Sequence, residues 1–253
     1  MEINEQQKNE VVFGKNAVTE LIKSAESVDT LFVSGDAGDK SISYIVSLAK
    51  EKGAVVKQVH PAKLQKLCGS DKHQNVAVFA TICDYCELED IFNRAKERGE
   101  APFILIADGI EDPHNLGAII RTAECVGAHG IIIPKRHGCS VTSSVHRTSA
   151  GAVSHILIMR AVNLASTIRE IKEKGVFCYC ADADGESCYR TDMTGACALV
   201  VGSEGFGVSR LTRDLCDVVV SLPMKGEINS LNASVAAGVL MYEIRRQRDI
   251  KER

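Results

Sequence analysis

Apolar positions along the chain fall into two blocks with different rhythms. In the first, helical spacing predicts helices over Gly14–Ser24, Ile42–Lys52 and Ala62–Cys68. β-Branched runs between them predict strands over Thr30–Ser34, Ala54–Val59 and Val76–Ile82. Residues 1–85 therefore read as a small α/β domain. The pattern breaks at Cys83–Leu88, and a charged helix over Glu87–Arg98 follows, stopped by Gly99 and Pro102. Residues 86–101 form the expected linker and connecting helix.

The second block, residues 102–253, opens on Phe103–Ala107, a continuous apolar run of the kind that suits a parallel strand covered on both faces. Further strands are expected over Gly130–Ile133, His155–Met159, Val176–Ala181, Ala198–Val201 and Val218–Leu222. Helices are expected over Leu116–Val126, Asn163–Lys174, Val208–Cys216 and Asn232–Arg246. Strand–helix alternation predicts an α/β fold with an open, mostly parallel sheet. Ligands of such sheets sit beyond the carboxyl ends of the strands, so the loops after Ala107, Val201 and Leu222 are the places to look for chemistry.

Composition narrows the class. Of 253 residues, 45% are apolar and 25% charged, which is globular and neither disordered nor collagen-like. Apolar runs are too short to span a bilayer, and the polar start from Met1 to Lys8 lacks a signal-peptide core, so a soluble cytoplasmic protein is expected. Ten cysteines in a chain of this length read as buried thiols of a reducing compartment. Cys83-x-x-Cys86 stands without a second pair or a His pair, so no metal site is expected; a thiol oxidoreductase there would need a depressed thiol pKa. The net charge of −3 gives no global nucleic-acid footprint and leaves room for a local basic face. Residues 1–85 hold ten lysines, eleven acids and no arginine. Arginine, suited to bidentate anion recognition, begins at Arg94.

Three loops carry the candidate residues. The first holds His114 and Asn115, with Arg121 six positions on, about 1.7 helical turns, so one helix cannot align the last two. If both serve one site, Asn115 must precede the helix; the alternative is an Asn N-cap and a solvated Arg. The second loop, Val201–Val208, carries Gly202, Gly205 and Gly207 around Glu204, which implies a tight turn and close backbone approach. It is not a dinucleotide fingerprint. The alternative is a glycine turn with a capping Glu. The third, Leu222–Ser234, supplies Ser230, Asn232 and Ser234 at a helix start, which by itself is a capped helix.

Taken together, Asn115-x-Gly117-x-x-x-Arg121, Gly202-x-Glu204-Gly205 and Leu222-Pro-Met with Asn229-Ser-Leu-Asn-Ala-Ser234 resemble the three motifs of the SpoU (TrmH-type) RNA 2′-O-ribose methyltransferases, from about Phe103 to Arg248. The first block, with Val12–Ala17 and His73-Gln74, is similar to the ancillary RNA-binding domain of the subgroup that modifies a guanosine in bacterial 23S ribosomal RNA. Asn75 departs from that subgroup, which commonly has Gly there. The resemblance implies a SPOUT-type fold with a C-terminal trefoil knot, S-adenosylmethionine as methyl donor, a homodimer and RNA as partner. It implies Gly202, Leu222 and Leu231 at the cofactor, and Arg121, Asn115, Glu204, Ser230 and Asn232 as catalytic or substrate positions. A guanidinium is a poor proton acceptor at neutral pH, so Arg121 is expected to bind the target phosphate or hydroxyl and stabilise alkoxide charge. The alternatives are transfer RNA as substrate, or an RNA-binding assembly factor without catalysis.

Overall fold

The computed structural model describes residues 11–24, 28, 30–35, 39–79, 83–228 and 230–251. The end of the expected strand at residues 80–82 and motif residue Asn229 lie outside them. In chain order the elements are β1 (Val11–Phe13), α1 (Lys15–Ser24), β2 (Thr30–Val33), α2 (Lys40–Glu51), β3 (Val55–Gln58), α3 (Pro61–Cys68), β4 (Val76–Phe79) and α4 (Leu88–Arg98). There follow β5 (Phe103–Asp108), α5 (Pro113–Cys125), β6 (Gly130–Pro134), α6 (Ser143–Thr148), β7 (Leu157–Ala161) and α7 (Leu164–Glu173). The chain ends with β8 (Phe177–Ser187), β9 (Cys197–Gly202), α8 (Arg210–Leu215), β10 (Val218–Ser221) and α9 (Ala233–Lys251). They form two compact units. One holds the described residues up to Asp84 together with Val141–His155; the other holds Tyr85–Ser140 and Ile156 onward.

In the first unit the sheet order is β1-β4-β2-β3, antiparallel except for the β2–β3 pair. Period-two alternation sorts its strands. Leu31, Val33, Val76 and Val78 face a core with Leu21, Ile22 and Ile45 of α1 and α2. Phe32 and Ala77 face the other way, onto Phe13 and Leu64. Asn75, the departure from the subgroup pattern, has φ of 65°, a left-handed conformation that favours glycine and that asparagine tolerates. Its side-chain oxygen accepts from Ser34 Oγ at 3.0 Å.

The short helix α6 belongs to this unit and has no counterpart among the expected elements. Thr142 caps it, and Arg147 lies over the Phe13 ring, 4.3 Å from its centroid. The expected strand from His155 begins instead at Leu157, because His155 ends a 3-10 turn over Ala152–Ser154, its amide donating to the Ala152 carbonyl at 3.0 Å.

The second unit is built on a sheet of order β10-β8-β9-β5-β6-β7, parallel at every pairing. The continuous apolar runs behave as expected, since β5, β6 and β9 are buried along almost their whole length. Ile104, Ile106 and Ile132 share a core with Ile91 of α4 and Ile168 and Ile171 of α7. Strand β8 runs to Ser187, well past Ala181, because beyond a register shift it continues along β10. Gly185 allows this, since a Cβ there would sit 2.6 Å from the Val219 backbone.

Helix α9 crosses the sheet, and Arg248 anchors its far end. The guanidinium is buried and donates to the carbonyls of Ala101, Pro102 and Gly195 at 2.6–2.9 Å, while lying over the Phe103 ring. No helix of the described residues is long and apolar enough to cross a membrane.

His146 of α6 is buried, with Nε2 3.2 Å from Ser154 Oγ, and burial pushes its pKa down to about 4 from 6.5. Between those values the unfolded chain binds a proton that the native chain does not, so stability falls as the pH is lowered. The expected loss from pH 7 to pH 4 is about 3 kcal/mol, with no further contribution below. Urea unfolding of His146→Gln should show a flatter pH dependence over this range; identical slopes would contradict the assignment.

Candidate active site

The site forms where three parallel strands end. Asp108 at the end of β5 is in register with Gly202 at the end of β9. The Asp108 carboxylate accepts from the Ser209 amide at 2.9 Å, which ties the loop after β9 to β5. Within that loop, Ser203 and Gly207 exchange backbone hydrogen bonds of 3.2 and 2.9 Å, which closes a tight turn over Glu204, Gly205 and Phe206. Gly202 is obligatory here, because a Cβ on it would lie 2.0 Å from the Gly207 backbone. The turn is rigid from its base.

Asn115 stands inside α5, not in the preceding loop and not as its cap. Asp112 is the N-cap, accepting from the His114 amide at 3.0 Å, and Pro113 opens the helix, so His114 and Asn115 both lie in the first turn. Buried there, Asn115 presents its side-chain oxygen to Asn232, whose Nδ2 donates to it at 3.0 Å. The same Nδ2 donates to the Glu204 carboxylate. The Asn232 oxygen meanwhile caps α9, accepting from the amides of Ser234 and Val235 at 3.0 and 3.3 Å and from Ser234 Oγ at 2.6 Å. One side chain thus joins the first turn of α5, the turn after β9 and the start of α9.

Gly202, Glu204, Leu222, Ser230 and Leu231 line one cavity, with Val220, Met224 and Leu240 adding apolar wall. A second cavity beside it shares Ser203, Glu204 and Gly207 and is completed by Asp108, Glu111, Asn115, His137 and Phe206. Arg121 alone among the expected residues stands apart. It is exposed on α5, lines neither cavity, and makes no side-chain hydrogen bond or ion pair among the described residues. Embedding Asn115 in the helix enforces the mismatch that spacing forecast.

The sequence reading missed Asp182, which lies on the rim of the first cavity because β8 runs on past Ala181. Arg213 holds it at 2.8 Å and grips both oxygens of Asp184, whose pKa that hydrogen bond lowers. The acidic pair Asp182-Ala-Asp184 was the available signal. Cys86 offers no reactive thiol, since burial pushes its pKa up to about 11. Among the described residues, no group of three or more His, Cys, Asp or Glu could hold a metal ion.

Residues 102–242 match the model of the SpoU rRNA Methylase family, more than half of the chain. The chain belongs to that family. Residues 11–85 match a second model, RNA 2′-O ribose methyltransferase substrate binding. Among relatives, the chain is 43% identical over 244 residues to the "Putative TrmH family tRNA/rRNA methyltransferase YacO" of Bacillus subtilis (strain 168), covering 96% of this chain and 98% of that one. A Staphylococcus haemolyticus relative of the same family description is 41% identical, over 94% of this chain and 96% of its own length. Among solved structures, the SpoU methyltransferase AviRb from Streptomyces viridochromogenes, in complex with AdoMet, superposes with a TM-score of 0.80 at 26% identity, over 94% of this chain and 90% of that one. The protein is therefore a SpoU-type RNA methyltransferase, and Asn115, Glu204 and Asn232 all lie within the residues that match the family.

Asn232→Ala removes both the α9 cap and the partner of buried Asn115, and should lower stability by about 2 kcal/mol. Asn232→Ser restores a capping oxygen without reaching both acceptors, so it should recover about half of that loss. Denaturant titration checks both; wild-type stability in the alanine variant would deny the bridge any structural weight.

Proposed function

We propose that this SpoU methyltransferase transfers a methyl group from S-adenosylmethionine to a ribose 2′-oxygen of ribosomal RNA, at a guanosine of the 23S molecule. The observation that carries the reading is the joining of Asn115, Glu204 and Asn232 at the mouth of a pocket framed by Gly202, Leu222 and Leu231. The match of residues 11–85 to the substrate-binding model of ribose methyltransferases supports the choice of a ribose oxygen. In this reading residues 1–85 bind RNA, 86–101 connect, and 102–253 form the catalytic domain with the C-terminal trefoil knot. Transfer RNA is the second reading, favoured by the shared tRNA/rRNA description of the relatives.

The pocket suits the donor. Its walls of Val220, Leu222, Leu231 and Leu240 offer an apolar slot for an adenine, while Ser230 and Glu204 offer polar contacts at the mouth. When bound, S-adenosylmethionine supplies a methyl group already activated by a positive sulfur. What remains for the chain is to orient the acceptor and stabilise charge on its oxygen. Asn232 holds the Glu204 carboxylate at the wall common to the two cavities, so the second cavity is the acceptor's side. Ser230 shapes the first cavity, and Asn115 fixes Asn232. Arg121 binds the target phosphate or hydroxyl and stabilises the developing alkoxide.

Arg121 is distant in role from its own chain's pocket, and a homodimer reconciles the two. Helix α9 packs on α5 and leaves Val235, Val239 and Tyr242 exposed along one stripe. An apolar stripe at that spacing supports burial against a second copy, with Arg121 of one copy serving the pocket of the other.

Arg121→Ala should lower kcat by roughly 10²- to 10³-fold while leaving S-adenosylmethionine affinity unchanged. Mixing it with Glu204→Ala should restore activity if Arg121 acts across the dimer. RNA carrying 2′-deoxyribose at the target should accept no methyl group; methylation persisting there would mean that a base is the acceptor.

A further inference from the structure

We propose that Phe206 is a stacking platform for a nucleobase of the RNA substrate and positions the target nucleotide beside the Glu204–Asn232 pair; this rests on the RNA methyltransferase reading. Phe206 is 96% exposed, so its ring contributes almost nothing to the core. It is nevertheless held firmly. The turn that carries it is closed at Ser203 and Gly207 by two backbone hydrogen bonds, and Gly202 is pressed against the Gly207 backbone beneath. Two positions away on the same turn, Glu204 is fixed by Asn232. A ring carried on a closed turn two residues from Glu204, and with no packing role, is suited to receive a flat partner.

The surroundings select what that partner is. The cavity that Phe206 borders also carries the side chains of Asp108, Glu111, Asp112 and Glu204, four acids against the single imidazole of His137. Asp108 and Asp112 accept backbone amides, and Glu204 accepts from Asn232, which fixes their positions without removing their charge. Such a wall repels a phosphate and accepts hydrogen bonds from the N–H edge of a base. The part of a nucleotide that fits against Phe206 is therefore the neutral base, taken out of its own stack. Stacking on an aromatic ring tolerates any base, so Phe206 supplies grip and placement while the carboxylates read the edge.

The chain contains no tryptophan, so Phe206→Trp introduces a sole indole reporter at the position of the ring itself. The experiment uses the full-length protein with unmodified 23S ribosomal RNA and, separately, unmodified transfer RNA. Phe206→Ala should raise the RNA KM roughly 5- to 150-fold, with a smaller change in kcat and unaltered S-adenosylmethionine affinity. Phe206→Tyr should restore the KM. In the Phe206→Trp variant, indole emission should be quenched by the RNA that the wild type methylates, and not by the same RNA made abasic at the target nucleotide. A wild-type KM in the alanine variant, or emission indifferent to RNA, would each overturn the proposal. Absence of methyl transfer by the wild type to either RNA would instead count against the enzymatic reading, since quenching of the indole is read independently of turnover.

Discussion

A single primary amide organises the catalytic unit. Asn232 directs both lone-pair acceptance and N–H donation to different ends: its oxygen closes the start of α9, and its nitrogen reaches Asn115 in the first turn of α5 and Glu204 in the turn after β9. An amide is the group that can do this, because it carries donors and an acceptor on one rigid plane. The first turn of α5, the turn after β9 and the start of α9 are each bonded to this one residue. The low dielectric around buried Asn115 strengthens the arrangement and makes any missing partner costly.

Helix α9 transmits that constraint through the molecule. Its nineteen residues span roughly 28 Å, enough to reach from the carboxyl ends of the strands back past their starts. At the far end Arg248 meets the carbonyls just ahead of β5 and β9, so the helix is fastened at both ends of the sheet. The buried guanidinium is oriented by Nη1 and Nη2, which donate to three carbonyls, and by the Phe103 face, where a lysine would offer one rotating point of charge. The site at one end therefore inherits the rigidity of the packing at the other.

Two adjoining cavities share Glu204 in their common wall. The first is walled by Val220, Leu222, Leu231 and Leu240 with Asp182 and Glu204 beside them; the second carries Asp108, Glu111 and Asp112 and bears the exposed Phe206 ring. The difference follows from where each wall originates. Strand ends β9 and β10 and the start of α9 bring core-type side chains to the first, while the loop after β5 and the glycine turn bring polar ones to the second.

Much of this was legible in the residue order. Continuous apolar runs announced the parallel strands, glycine spacing announced the tight turn, and three motifs in order announced the family. Asp112-Pro113 is itself a local helix-start signal, and it sets the start of α5 three residues ahead of Leu116, where the apolar period begins. What no local pattern held was β8 running on along β10, the short helix α6 joining the first unit, and the standing apart of Arg121. These depend on partners far away in the chain. Periodicity along one segment records which face is buried, and so the sequence by itself determined the elements, the sheet type and the family. Which loops meet, and that they meet through the two donors of Asn232, is a property of distances in space, and only the tertiary structure decided it.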